Sequence, residues 1–380
     1  MSDSLNHIFY DWITVHQDFD FVLPIINMDV YQRLNVETGE FGKIIQPKFQ
    51  HEGSHCSTVS IAISGHRITM SGNPSKFDRL DNLEGIGSLD DCMAVFNRIL
   101  LSLGLPPFTK CTKVWYGQCP ETKKNRKFSD GAIFTRIDVT SNKTTGGYAK
   151  DYIKGISTLR YRNSIPNLYT NGCTCDWKSE KGNAPLIYSK VYDKANELDL
   201  FTLPKIANKY GRSSEQYQYL LSLRDYCRAQ GVARFEQSFK AEVLTRDDCR
   251  YWGLFDETKL KTQHQEFRDI DARLQVTAMN LESISQQLLS NNVCGTTKAA
   301  NTTAMYALEW SHGKIFDFSK SQVKTHRARL RKIGIDIKNI FDASRFSPVV
   351  VTRAVEIETG ELAYPHWYQR PTSNHLRLVA

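Results

Sequence analysis

Residues 232–241 read Val232-Ala233-Arg234-Phe235-Glu236-Gln237-Ser238-Phe239-Lys240-Ala241. Ala233, Phe235, Phe239 and Ala241 share one parity, while Arg234, Glu236, Ser238 and Lys240 share the other. Side chains alternate across a strand, so the stretch predicts a half-buried strand with one apolar and one charged face. A helical pattern over 214–230 ends directly before it at Gly231, a residue suited to a left-handed cap.

Two other stretches repeat this design. In 132–140, AIFTRIDVT, Ile133, Ile137 and Val139 form one face and Phe134, Arg136 and Asp138 the other. In 185–197, PLIYSKVYDKANE, Tyr188, Lys190, Tyr192 and Lys194 alternate with Ile187 and Val191. Paired, the three strands would make one polar surface carrying Asp138, Tyr192, Lys194 and Glu236. The expected class is α+β: a central antiparallel sheet with helices on one face, followed by a helical C-terminal region.

Further out, 8–19 reads as a strand and 57–72 as two strands turning at Ser64-Gly65. Ser88-Leu89-Asp90-Asp91 opens a capped helix through Leu103, with Gly104 just past its end. Beyond about residue 258, Phe267, Leu274, Leu281 and Leu288 recur every seven residues, with Ile270 and Ile284 between them. That predicts a helical seam packed on its own chain. Asn292-Val293-Cys294-Gly295-Thr296 breaks it. Over 319–333, Lys320, Lys324, Arg327 and Arg331 form a cationic stripe with no acid before Ile335, which fits a DNA backbone. The expected division is an α+β domain at 1–255, an amphipathic helical linker at 256–295, and a basic DNA-binding region with a short tail at 296–380.

The 380 residues are 41% hydrophobic and 24% charged, enough to bury a core and to stay soluble. No apolar run reaches membrane-spanning length, and MSDSLNHIFYDW lacks the pattern of a secretory signal, so a cytoplasmic protein is expected. Nine cysteines at spacings poor for zinc, such as Cys111/Cys119 and Cys173/Cys175, point to reduced thiols. The net charge of +8 favours an anionic partner. The G-x-x-x-x-G-K-[ST] phosphate loop is absent, which excludes a helicase built on it.

A phenol with a pKa near ~10 is a poor nucleophile at neutral pH. Neighbouring cations or a metal ion lower that pKa and neutralise a phosphate under attack. Tyrosine beside lysine therefore suits phosphodiester transfer. From the residues alone, an ordinary amphipathic strand and a structural Arg136–Asp138 salt bridge remain equally open.

The ordered segments FTRIDVT, YSKVYDKANEL and GVARFEQSFK resemble the replication initiation protein of filamentous phages, the gene II and gene X nickase family. That family is related to initiators of rolling-circle plasmids. IFYDWITVHQDF, SGNPSKFDRLDN and RARLRKIGIDI extend the resemblance over roughly residues 8–340. It implies a site-specific nickase and strand-joining transesterase that starts rolling-circle replication in a bacterial host. Carried over, the nucleophile falls on Tyr192, with Lys194 and Glu197 completing a Tyr-x-Lys-x-x-Glu pattern and Tyr188 in reserve. Asp138 and Glu236 would hold Mg²⁺ or Mn²⁺, and Arg136 and Arg234 would stand beside the phosphate. The histidine-type nickases carry a His-hydrophobe-His pair; here only His51 and His55 come near one, in a polar stretch, so carboxylates must hold the ion. The implied partners are origin DNA, duplex and single-stranded, with a host helicase and polymerase; a homodimer stays open. Two rival readings use the same residues: a metal-dependent hydrolytic nuclease, and a non-catalytic origin-binding repressor resting on the 319–333 helix.

Overall fold

Alternation at 232–241 becomes a strand at the middle of the largest sheet. The computed structural model describes residues 5–26, 29–45, 47–118, 123, 125–180, 186–273, 281–311, 313–339 and 357–371. The first strands are β1 (Phe9–Asp18), β2 (Tyr31–Leu34), β3 (Phe41–Ile45), β4 (Phe49–Glu52), β5 (Thr58–Ser64) and β6 (Arg67–Gly72). Helix α1 (Leu89–Ser102), strands β7 (Val114–Gln118), β8 (Asn125–Ser129) and β9 (Ile133–Thr144), and helix α2 (Ala149–Ile156) follow. Next come β10 (Ser164–Leu168), β11 (Thr174–Ser179) and β12 (Ile187–Asp193), then helices α3 (Lys194–Glu197), α4 (Leu203–Tyr210) and α5 (Glu215–Gln230). After β13 (Ala233–Lys240) the chain is helical: α6 (Ala241–Arg246), α7 (Thr258–Arg268), α8 (Leu281–Ser290), α9 (Thr297–Ser311) and α10 (Ser321–Lys332). A last short strand, β14 (Gly360–Glu361), returns to pair with β9.

The main sheet runs β10-β11-β12-β13-β9-β1-β6-β5-β4, with every pairing antiparallel. The α+β class and the adjacency of the three polar-faced strands are as expected. Helices α1, α6 and α7 pack on the apolar face over β1, β5, β6 and β9. Helix α2 and Phe267 of α7 cover β11, β12 and β13 on the same side. At the ends of β12 and β13, helices α3–α5 close a further core with Leu83, Leu362 and Tyr368. Ile284, Leu288, Trp310 and Leu330 join α8–α10 in a core of their own. No helix among the described residues is long and apolar enough to cross a membrane. Cys92, Cys111, Cys173, Cys175, Cys227, Cys249 and Cys294 are free, buried thiols.

Two expectations need correction. Phe134 leaves the polar face and is fully buried in the apolar core. The register explains it: Thr14 faces Arg136 while Val15 faces Phe134, so Thr135 is an extra residue that flips the parity of what precedes it. The seven-residue repeat is not one seam. Helix α7 ends at Arg268 and a 3₁₀ turn follows at Asp269–Arg273. Phe267 and Ile270 therefore join the core under the sheet, whereas Ile284 and Leu288 join the α8–α10 core. Leu274 lies outside the described residues.

The join from α5 to β13 depends on Gly231, at φ 59° and ψ 54°. A Cβ there would stand 2.6 Å from Gly147 N. Gly231→Ala should lower the unfolding free energy by roughly 1–3 kcal/mol. Urea unfolding followed by circular dichroism checks this, and an unchanged midpoint would contradict it.

Candidate active site

The register aligns the predicted residues on one face. Tyr188 pairs with Ser238, Lys190 with Glu236 and Tyr192 with Arg234. On the other side of β13, Ser238 pairs with Asp138, Glu236 with Thr140 and Arg234 with Asn142. Directly opposed residues share a face, so Tyr188, Lys190, Tyr192, Glu236, Arg234 and Asp138 form one surface. Asp11 joins them through a second bulge. Tyr10 faces Val139 and Ile13 faces Ile137, so Asp11 and Trp12 together oppose Asp138. Tyr10 and Ile13 stay in the core while the Asp11 carboxylate accepts hydrogen bonds from Asn73 Nδ2 (2.5 Å) and Asn82 Nδ2 (2.7 Å).

Three buried carboxyl groups meet here: Asp11, Asp138 and Glu236, each at most 8% exposed. Burial, with the repulsion of Asp11 and Asp138, raises Glu236 to about 7 against the pull of Lys190. Glu236 is hydrogen-bonded to Asp11 and so donates its proton when it holds one. Burial would also raise Asp11, but Arg234 and the hydrogen bonds from Glu236 and Asn82 hold it below the ordinary carboxylate value. Asp138 takes a bidentate pair from Arg136 (2.8 and 2.6 Å) and is still raised, because burial outweighs the guanidinium. Two carboxyls pushed in opposite directions by their surroundings are what acid–base chemistry requires.

Tyr192 is half-buried, and the Lys190 ammonium sits 5.0 Å from its ring centroid. Among the described residues no hydrogen bond reaches its hydroxyl. Burial and then Glu236 push its pKa well up, with Arg234 pulling the other way. The neighbouring cations do not ionise the resting phenol, because they are already paired. Lys190 pairs with Glu236, and Lys194 Nζ donates to Glu197 Oε2 (2.6 Å) and Asn82 Oδ1 (3.0 Å). Tyr188 is committed elsewhere: its hydroxyl donates to Asp176 Oδ2 at 2.7 Å.

Arg234 and Lys194 hold the site together from within. Arg234 is fully buried and donates to Asn142 Oδ1 (3.0 Å) and to the carbonyls of Asn82 and Leu83. Lys194 does not continue the strand face, because Asp193 caps the backbone N–H groups of Ala195 and Asn196 and starts α3. Glu197 is the ion-pair partner of Lys194. His51 stands on β4 stacked on Phe77, and the His55 ring meets Tyr210 at 3.3 Å.

Sequence reasoning missed Asp11 and Lys76. An aspartate inside the apolar run Ile8–Ile13 was a usable signal for the first. Lys76, in the loop after β6, carried none. Its ammonium is half-buried, is lowered by burial, feels Glu197, Lys194 and Asp11, and makes no ion pair among the described residues.

Among the described residues no three His, Cys, Asp or Glu side chains group closely enough to hold a metal ion by themselves. The oxygens still suit an ion that takes one or two carboxylates and completes its shell with phosphate and water. Glu236 Oε2 is buried and accepts no aligned hydrogen bond from a described residue; the Lys190 ammonium meets it as an ion pair.

On α10, Lys320, Lys324 and Arg331 are exposed, but Arg327 makes a bidentate pair with Asp336 (2.6 and 2.9 Å). The stripe is therefore shorter than its spacing indicates.

Residues 288–374 match a family model described as the C-terminal part of a phage replication-associated protein. The chain is 50% identical over 322 residues to the replication-associated protein of Escherichia phage If1, covering 84% of this chain and 99% of that protein. No solved structure matches it.

Glu236 generates a stability signature. A carboxyl raised from 4.5 to about 7 on folding contributes stability that is complete below pH 4.5 and is lost as pH rises towards 7. Replacing Glu236 with Gln should flatten that part of the urea-unfolding profile. A variant and wild type with parallel profiles across this window would contradict the assignment.

Proposed function

We infer the activity from one premise: the chain belongs to the family of the phage If1 replication-associated protein and is a replication initiator of filamentous phages. It acts as a nickase that starts rolling-circle replication by cutting one strand of the origin. Tyr192 Oη attacks the scissile phosphorus, a phosphotyrosyl bond to the 5′ side forms, and the P–O3′ bond breaks. The phenolic proton leaves to ionised Glu236, and the departing 3′-oxygen takes up a proton to become the primer hydroxyl. Strand joining is the reverse, with a 3′-hydroxyl attacking the phosphotyrosine.

One observation carries this reading: a tyrosine hydroxyl with no hydrogen-bond partner among the described residues shares a face with a carboxyl pair whose higher member titrates near neutrality. A base of pKa near the working pH combines a useful ionised fraction with useful strength. Arg136 and Lys190 stand where a non-bridging phosphate oxygen would be met, and Lys76 is a cation still open to a phosphate. Asp138 and Glu236, with Asp11 beside them, would hold Mg²⁺ or Mn²⁺, which supplies Lewis-acid neutralisation of the phosphoryl charge. Tyr188 is the reserve nucleophile once its bond to Asp176 is released. Lys320 and Lys324 contact the DNA backbone, and a host helicase and polymerase extend the freed end.

The test uses supercoiled plasmid carrying the neighbouring origin, with Mg²⁺, resolved on a denaturing gel. Wild type and Tyr188→Phe should leave protein covalently attached to nicked DNA. Tyr192→Phe should abolish the adduct and slow nicking at least roughly 10³-fold while still binding the origin. Asp138→Asn should slow nicking about 10²-fold or more. Nicking by wild type without any adduct would replace this reading with metal-dependent hydrolysis. Binding without nicking would leave a repressor.

A further inference from the structure

Strands β7 and β8 form a two-stranded sheet of their own, apart from the main sheet. We propose that this ribbon is a second DNA-binding arm, one that enters a groove of duplex DNA beside the nick. The proposal rests on the nicking function above, because it gives that site its duplex grip.

Charge comes first. Residues 110–129 hold Lys110, Lys113, Lys123, Lys124, Arg126 and Lys127 against the single acid Glu121. Lys110 is taken by Asp90 at 2.6 Å, and Arg126 lies 3.6 Å from Asp18. Lys113 and Lys127 make no ion pair among the described residues.

The second feature is the arrangement of rings. Trp115 pairs with Phe128 across the ribbon, and their rings stack at 6.2 Å. Lys113 lies over Trp115 and Arg126 over Phe128, so this face alternates cation and ring. Gly117, opposite Arg126, keeps the face thin, because a Cβ there would press to 3.1 Å from Phe128. The other face pairs Tyr116 with Lys127, whose ammonium lies 5.6 Å from the ring centroid. Tyr116 is 76% exposed and Trp115 44%.

An isolated hairpin is marginal in water, and this one spends its aromatic residues on solvent-facing surface. Its base, however, is fixed. Asp130 accepts from the backbone of Thr112 (2.8 Å) and Lys113 (3.1 Å), and Gln17 exchanges two hydrogen bonds of 2.9 Å with Thr109. A firmly rooted ribbon with cations on both faces matches a groove walled by two phosphate backbones. The major groove admits a two-stranded ribbon of this kind. A surface for single strands alone would need its rings on one side only. Position agrees with this, since β8 leads through three residues into β9, the strand that bears Arg136 and Asp138.

The experiment compares the full-length protein with Lys113→Gln/Lys127→Gln and with Tyr116→Ala. Binding is read by fluorescence anisotropy over a salt series, using a labelled duplex spanning the nick site and a single strand of the same sequence. Adduct formation on the short single strand reports an intact nicking site. The double variant should bind duplex about ten-fold more weakly, with a salt slope shallower by about 2, one for each lysine taken from a phosphate. Adduct formation on the single strand should be unchanged, and Tyr116→Ala should also weaken duplex binding. Duplex affinity and slope equal to wild type would overturn the proposal. So would a loss confined to the single strand. Failure of wild type to form any adduct would refute the nicking function, yet the binding comparison would still decide the ribbon.

Discussion

The buried guanidinium of Arg234 is the constraint on which the site depends. A charge at 0% exposure is tolerated only when hydrogen bonds and opposite charge replace its water. Arg234 finds them in Asn142, in the carbonyls of Asn82 and Leu83, and in the field of Asp11 and Glu236. That demand draws the loop after β6 across the polar end of the sheet. Once there, Asn73 and Asn82 clasp Asp11, and Asn82 also accepts from Lys194 at the start of α3. One cation on the central strand thus fixes β1, the loop and α3 around the tyrosine. An arginine that the family resemblance sets beside the phosphate is instead the pin that positions the groups able to meet one.

The electrostatics explain a resting enzyme. Arg136 is paired with Asp138, Lys190 with Glu236 and Lys194 with Glu197, so each cation near Tyr192 has a carboxylate of its own. The phenol therefore stays protonated and its pKa is raised. An incoming phosphate competes for Lys190 and Arg136. Drawing Lys190 away would strengthen Glu236 as a base just when the phenol needs one. Substrate binding and activation of the nucleophile would then be a single exchange of partners, with no charged group added to the protein interior.

Alternation made much of this legible. Arg234 with Glu236, Arg136 with Asp138, and Tyr188, Lys190 and Tyr192 were assigned to polar strand faces, and the register brings those faces together. The departures are backbone events that break a period without a marker in composition. The bulge at Thr135 returned Phe134 to the core, and the bulge at Asp11 and Trp12 added a carboxyl that alternation would have scattered. Lys194 keeps the parity of Tyr192, yet Asp193 caps a helix at that point and ends the strand rule. In the C-terminal half the seven-residue spacing was real, but Phe267 and Ile284 answer to different cores. Periodicity reports that a residue is buried and leaves open what it is buried against.

The pairing of charge also separates binding from chemistry. The cations nearest the tyrosine are neutralised one by one, so the site itself exerts little long-range pull on a polyanion. The excess of 49 basic over 41 acidic residues must act from elsewhere, and Lys113, Lys127, Lys320 and Lys324 are exposed examples of it. Long-range attraction scales with unpaired surface charge and is screened by salt, whereas a buried ion pair is screened far less. A protein organised this way can change its grip on DNA by altering the ribbon or α10 while the balance around Glu236 stays the same. The converse is not available to it, because each carboxylate in the site is also the counter-charge of a cation that holds the fold.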